Sequence, residues 1–209
     1  RVASVGKMFT AVALSQLVEA GTLPCDSTLA EVVPEYPDHA TAKKITVWEL
    51  LPHTSGLGDI LVPELFAHRE NFINPVDYRG LISRHPILSA PGKDFNYSNA
   101  GYVLLGRIIE NVSHEDYFEY IQRHVFAPAG MRSSGFNALD EVTPKLAVGY
   151  FQESPFSTKW KANWMKIPFK GSPAGDSYST NADLLRFAEA LRGGKLRKPL
   201  DLPEFCDYA

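Results

Sequence analysis

The sequence predicts a predominantly helical fold with one β-hairpin. Apolar residues recur with the 3.6-residue period of a helix after Ser4 and again after Asn99. Residues 146–169 differ from the rest, because they combine Val, Ile and many aromatic residues around a turn that contains Ser and Pro. This pattern favours two antiparallel strands with an aromatic surface.

The first half of the chain predicts two helices and an irregular stretch. The apolar period predicts a helix over residues 4–20, and Gly21 lies where a helix commonly ends. Thr46 and Glu49 form a capping box, which predicts a short helix as far as about Leu51. Several prolines interrupt residues 60–93, so short helices and loops should alternate there.

Three further helices follow from the second half. An amphipathic helix is predicted over residues 99–112, and Ser113 together with Asp116 should cap the next one, over about 114–126. Thr180 and Asp183 should cap the last, which ends at the glycine pair 193–194.

Composition and charge argue against two classes of function. With 209 residues, 44% of them hydrophobic and 22% charged, the chain can bury one well-packed core. A net charge of −3 with scattered Lys and Arg gives no footprint for nucleic acid, and no apolar run approaches the ~18 residues of a membrane span. Cys25 and Cys206 lack metal-ligand spacing; one bridge between them and two unpaired thiols both stay open, and neither indicates a compartment.

Ser4 and Lys7 are the candidate nucleophile and base. About one Ser-x-x-Lys match is expected by chance in such a composition, so the position of this match matters more than its presence. At a helix start, residues i and i+3 share a face, which places the Lys7 amine beside the Ser4 hydroxyl. The positive end of the helix dipole and partial burial disfavour the ammonium form, so Lys7 should accept a proton readily.

Tyr97-Ser98-Asn99 supplies a second possible base and an amide. A charged Lys7 would stabilise Tyr97 as a phenolate, so the sequence does not decide which of the two is the base, and we favour a proton shared between them. The Asn99 amide should accept from Lys7 and donate to a substrate carbonyl. Taken singly, each of the four residues has a common structural role instead: N-cap, surface charge, packed aromatic or turn residue.

His53 and Ser55 lie in a turn, His-Thr-Ser-Gly. A histidine and a serine this close together could suggest a nucleophile and its base. No third group that would orient the histidine is evident from the sequence. Residues of such turns more often serve the loop itself, so we interpret both as structural.

Four segments, taken in order, resemble the serine β-lactamase-related family, in its class C β-lactamase, esterase, D-aminopeptidase and penicillin-binding-protein branch. They are Ser4-Val5-Gly6-Lys7, residues 45–57 ending in His-Thr-Ser-Gly-Leu, Tyr97-Ser98-Asn99, and residues 175–191 around Tyr-Ser-Thr. The resemblance implies an α+β fold of the β-lactamase and penicillin-binding-protein type, formed by a single domain over residues 1–209.

Two parts of the family pattern are not found in the sequence. Relatives carry a Lys-Thr-Gly or His-x-Gly strand after the last helix, and strands before the Ser-x-x-Lys helix. The resemblance therefore implies a fragment, incomplete at both ends, that covers mostly the helical region while the central antiparallel sheet is largely missing. The remainder of the same polypeptide would complete the sheet and supply an oxyanion donor. Because loss of one such donor costs ~10²–10³ in rate, these 209 residues alone should turn over little substrate.

The implied activity is that of a serine hydrolase with an acyl-serine intermediate on Ser4. Its small-molecule substrate would be an ester, a β-lactam or a D-amino-acid peptide, as in carboxylesterases, β-lactamases and D-Ala-D-Ala carboxypeptidases or aminopeptidases. The alternative is a non-catalytic penicillin- or peptidoglycan-binding protein, or a scaffold, that acylates slowly or not at all. No metal or organic cofactor is implied. Relatives are often exported, which favours a periplasmic or secreted setting.

Overall fold

In the computed structural model, residues 1–198 are described, and they form mostly helices. The α-helices are α1 Lys7–Glu19, α2 Leu29–Val32, α3 His39–Ala42, α4 Val47–Leu50, α5 Pro63–Ala67, α6 Arg79–Arg84, α7 Asn99–Ser113, α8 Tyr117–Tyr120, α9 Ala127–Ala129 and α10 Asn181–Arg192. Shorter helical turns are the 3₁₀ segments Ala3–Gly6, Arg69–Asn71, Pro75–Tyr78 and Asn163–Lys166, and the π-helical segment Ile121–Phe126. Strands β1 Tyr150–Phe151 and β2 Lys161–Ala162 pair antiparallel. The predicted mixture of helices and one hairpin is confirmed.

Helix α1 lies at the centre of the core, and its packing fixes where the first residues of the chain stand. The ring of Phe9, fully buried, meets Phe126 and Phe187 edge-on at centroid distances of 4.9 and 5.0 Å. The next residue of the helix, Thr10, has a buried hydroxyl. It lies 2.7 Å from the Tyr117 hydroxyl and donates to the Pro173 carbonyl at 2.8 Å. These contacts join α1 to α8 and to the loop before α10.

The local signals correctly predicted the end of α1 and the starts of α4 and α10. The first helix begins as a 3₁₀ turn and ends before Gly21, which has a φ of +71°. The Thr46 capping box is present at the start of α4. At the start of α10, the Thr180 side chain accepts from the Asp183 N–H.

The predicted cap at Ser113 is wrong. Ser113 is the last residue of α7, because His114 takes a left-handed conformation, with φ +59°, and ends that helix. Helix α8 begins only at Tyr117, where the Asp116 carboxylate accepts from the N–H groups of Phe118 and Glu119. The capping is therefore supplied by Asp116, the second residue of the predicted pair.

The sequence also raised the questions of a membrane span and of a disulfide bridge. Within residues 1–198, no helix combines the length and the apolar character needed to cross a bilayer. Cys206 lies outside the described residues, so the open question of a bridge to Cys25 stays as the sequence left it.

Candidate active site

Ser4 and Lys7 stand side by side at the start of α1. Ser4 lies in the 3₁₀ turn and Lys7 is the first residue of the α-helix, so the predicted i, i+3 spacing brings Lys7 Nζ to 3.1 Å from Ser4 Oγ. Lys7 is only 7% exposed. Its amine also donates to Asn99 Oδ1 at 2.7 Å and to the Ala174 carbonyl at 2.5 Å. Lys7 therefore has one acceptor in each of the three directions that an ammonium group can serve.

Tyr97 completes the contact with the serine. Its hydroxyl lies 2.7 Å from Ser4 Oγ, and Lys7 Nζ lies 5.0 Å from the centre of its ring. The next residue, Ser98, caps α7: its hydroxyl accepts from the Gly101 N–H and donates to the Gly58 carbonyl. These two hydrogen bonds hold the backbone at Ser98, which lies between Tyr97 and Asn99 in the sequence.

Asn99 lies at the first position of α7, and Asp59 holds its amide. Asn99 Nδ2 is 3.0 and 3.1 Å from the two carboxylate oxygens of Asp59, and the Asn99 backbone N–H donates to the same carboxylate at 3.2 Å. The amide oxygen consequently faces Lys7, as expected from the sequence. The amide nitrogen faces a carboxylate that the sequence did not single out, and donation to a substrate carbonyl stays a prediction.

The loop before α10 holds the backbone of the nucleophile segment. The Val2 N–H donates to the Ser177 carbonyl at 2.8 Å, and the Asp176 N–H donates to the Ala3 carbonyl at 3.0 Å. Gly175, with φ +140°, approaches so closely that an added Cβ would lie 2.5 Å from the Ala3 oxygen. Only glycine fits at this position without moving the residues next to Ser4.

His53 supports the ring of Tyr97, a role that the sequence did not indicate. The two rings are 4.4 Å apart between centroids, and His53 Nδ1 accepts the Ser98 N–H at 3.1 Å. An accepting Nδ1 carries no proton. Burial and the charge of Lys7 hold the pKa of His53 below its ordinary value, and the Asp59 carboxylate opposes this.

Three of the four sequence-predicted site residues line one cavity, and the fourth, Lys7, lies behind Ser4. Ser4, Tyr97 and Asn99 line a space of about 250 Å³, together with Asp59 and Asp176, and Lys7 contacts Ser4 from the buried side. Burial raises the pKa of the Asp176 carboxyl, against the charges of nearby cations. The arrangement places a hydroxyl at the cavity wall, in direct contact with an amine and a phenol.

Comparison with known proteins identifies the family. The Beta-lactamase family model matches residues 1–205. The putative penicillin-binding protein PbpX of Bacillus subtilis is 33% identical over 195 residues, which are 93% of this chain and 46% of the relative. A penicillin binding protein from Bacillus halodurans is 35% identical with a TM-score of 0.83, covering 94% of this chain and 60% of that one. D-amino acid amidase from Ochrobactrum anthropi is 28% identical with a TM-score of 0.80, covering 95% and 58%.

The chain belongs to the serine β-lactamase-related family. The predicted α+β fold of the β-lactamase and penicillin-binding-protein type is confirmed, and this chain corresponds mostly to its helical region. The chain spans about half the length of the curated relatives, 46% of PbpX and 48% of penicillin-binding protein 4 from Amycolatopsis lactamdurans. Family members bind small-molecule substrates, and serine hydrolases are among them.

Proposed function

We propose that the chain carries the nucleophile of a serine hydrolase, which cleaves ester or amide bonds through an acyl-Ser4 intermediate. One observation supports this above all: Ser4 Oγ lies 3.1 Å from Lys7 Nζ and 2.7 Å from the Tyr97 hydroxyl. A serine hydroxyl is a weak nucleophile unless a base within hydrogen-bond distance removes its proton. Two such groups in direct contact, at the wall of a cavity, meet this requirement.

The reaction follows from these contacts. Ser4 Oγ attacks the substrate carbonyl carbon, and its proton passes to Tyr97 or Lys7 as the new C–O bond forms. The same proton then goes to the leaving alcohol or amine when the bond to that group breaks. A water molecule attacks the acyl-serine, gives its proton back through the same pair, and regenerates the Ser4 hydroxyl.

The names of the relatives suggest two classes of substrate. D-amino acid amidase suggests amides of D-amino acids, and the penicillin-binding proteins suggest β-lactams. The second candidate function, penicillin binding by a stable acyl-serine without turnover, has the support of PbpX at 33% identity. The proposal also includes a third activity, the hydrolysis of carboxylic esters.

The remainder of a longer polypeptide is part of this proposal. An acyl transfer needs donors for the oxyanion, and loss of one commonly costs ~10²–10³ in rate. The family resemblance implies that this donor comes from the central sheet, whereas the strands found within residues 1–198 form a two-stranded sheet, β1 with β2. We therefore expect full activity from the full-length protein and little from residues 1–209 alone.

Time-resolved mass spectrometry of the full-length protein tests the proposal. The protein is mixed with a penicillin or with a short p-nitrophenyl ester, and the mass is followed over time. An adduct that forms and disappears supports a hydrolase, and an adduct that persists supports penicillin binding. Ser4→Ala should abolish labelling, whereas Ser133→Ala, at an exposed serine, should not. Labelling that survives Ser4→Ala, or no adduct with either reagent, contradicts the proposal.

A further inference from the structure

We propose that Asp59 is a positioning residue that fixes the direction in which Lys7 faces the nucleophile. The inference rests on the proposed function, since it concerns the same proton transfer from Ser4. Asp59 lies outside the segments that carry the family resemblance, two residues after the segment 45–57. It contacts Asn99 and not Lys7 or Ser4, so its effect must pass through the amide of Asn99.

The Asp59 carboxylate sets the orientation of the Asn99 amide. A carboxylate only accepts hydrogen bonds, so the amide must turn its Nδ2 toward Asp59 and its oxygen away from it. The carboxylate itself is held by two backbone N–H groups, from Ile60 at 2.7 Å and from Asn99 at 3.2 Å. The second of these is at the N-terminus of α7, where the helix dipole favours a negative charge. Asp59 is thus a fixed anion that prevents the amide from flipping.

Lys7 Nζ has three hydrogen-bond partners. Two of these partners can only accept a hydrogen bond: Asn99 Oδ1 at 2.7 Å and the Ala174 carbonyl at 2.5 Å. A neutral amine has two N–H donors and one lone pair. When the two donors serve these acceptors, the lone pair is left facing Ser4 Oγ, at 3.1 Å. A charged Lys7 donates to the same oxygen, so in both protonation states the amine faces the nucleophile.

Without the Asp59 carboxylate, the Asn99 amide is no longer held in one orientation. A flipped Asn99 would present Nδ2 to Lys7, and the lone pair of the amine would accept from that amide instead of from Ser4. In the Asp59→Asn variant the new side chain can donate to Asn99 Oδ1, which permits the flip. Because small errors of position in a reacting pair cost about 10²-fold in rate, we expect Ser4 acylation to slow by about 10²-fold. Substrate binding should change by less than about threefold, since Asp59 acts on the proton transfer.

A double-mutant cycle separates this role from a purely structural one. Acylation of the full-length protein by a p-nitrophenyl ester is measured for the wild type, Asp59→Asn, Asn99→Ala and the double variant. If Asp59 acts through the amide, Asp59→Asn adds less than about twofold once Asn99 is alanine. Asp116→Asn is the matched control: this carboxylate also accepts N–H groups at a helix start, at 2.9 and 3.1 Å, but it caps α8. It should leave the acylation rate unchanged.

The outcomes are distinct. Wild-type acylation rates in Asp59→Asn, or effects that multiply in the double variant, overturn this inference while leaving Ser4 as the nucleophile. A wild-type protein that is not labelled at Ser4 overturns the proposed function and the inference together. Should Asp59→Asn fail to fold, Asp59→Ala also removes the acceptor from the Asn99 amide and carries the same expectation.

Discussion

The hydroxyl of Tyr97 offers the sharpest test of the proton transfer. Tyr97→Phe removes the oxygen that lies 2.7 Å from Ser4 Oγ and leaves the ring in place. The ring keeps its other neighbours, His53 at 4.4 Å between centroids and Lys7 Nζ at 5.0 Å. Because the residue is 45% exposed, the hydroxyl contributes little to packing. The substitution therefore isolates the proton-transferring group.

The magnitude follows from the role of the group. A positioned general acid–base contributes about 10²–10⁴-fold, so Tyr97→Phe should slow acylation of Ser4 by that factor. This corresponds to about 3–5 kcal/mol of activation free energy. The free energy of unfolding should change by no more than about 0.5 kcal/mol, as at other exposed positions.

Tyr102→Phe is the matched control, with the opposite expectation. Its ring also lies near Lys7 Nζ, at 5.3 Å, but its hydroxyl donates to the Leu51 carbonyl at 3.1 Å. Loss of this hydrogen bond should lower the free energy of unfolding by about 1 kcal/mol. The acylation rate should remain within about threefold of the wild type.

The assay combines two measurements on the full-length protein. The rate of ester-adduct formation is followed by mass spectrometry, and the free energy of unfolding is obtained from urea titration. Slow acylation with normal stability for Tyr97→Phe, and the reverse for Tyr102→Phe, supports the assignment. Acylation at the wild-type rate in Tyr97→Phe refutes the role of the phenol.

Two further predictions concern the groups around the nucleophile. Burial and Lys7 keep the pKa of His53 below its ordinary value, so the unfolded chain takes up this proton first as the pH falls. The free energy of unfolding should therefore decrease as the pH drops below about 6.5, by the contribution of this one group. His53→Asn tolerates the positive φ but cannot be protonated, so urea titrations at about pH 5 and about pH 7.5 should differ less for it than for the wild type; an unchanged difference contradicts this. Gly175→Ala should strain the backbone beside Ser4 by about 1–3 kcal/mol and slow acylation by about 10²-fold. Gly21→Ala, at φ +71° with no atom within 4 Å of the added Cβ, should leave the acylation rate unchanged, and equal rates for both glycine variants would argue against the close approach.

Local sequence signals predicted the longer helices and the hairpin, but not the short helices α2 and α3. Capping pairs such as Thr46 with Glu49 act over three residues, so they can be recognised without knowledge of the tertiary structure. The Ser113 prediction failed because His114 adopts a left-handed conformation, and nothing in the local pattern distinguishes a helix end from a helix start there.

The site was predictable only in part. Ser4 and Lys7 are three residues apart on one helix, and the spacing alone places them together. Asp59 acts across 40 positions and His53 across 45, on Asn99 and Ser98 respectively. Such contacts depend on how the loops fold over α7.

The Ala174 carbonyl was outside the reach of sequence reasoning for a different reason. It is a backbone group, and its contribution to the site does not depend on the identity of its side chain. Its position depends on the tertiary contact between Gly175 and Ala3. A sequence motif therefore cannot reveal a backbone acceptor of this kind.

Peptide mapping of the covalent adduct tests the central claim most directly. Trypsin cleaves after Arg1 and Lys7, and Ser4 is the only hydroxyl residue of the peptide between them. After reaction of the full-length protein with a penicillin or a p-nitrophenyl ester, we predict the added acyl mass on this peptide. An adduct on another peptide, with the peptide of Ser4 unmodified, would contradict the account.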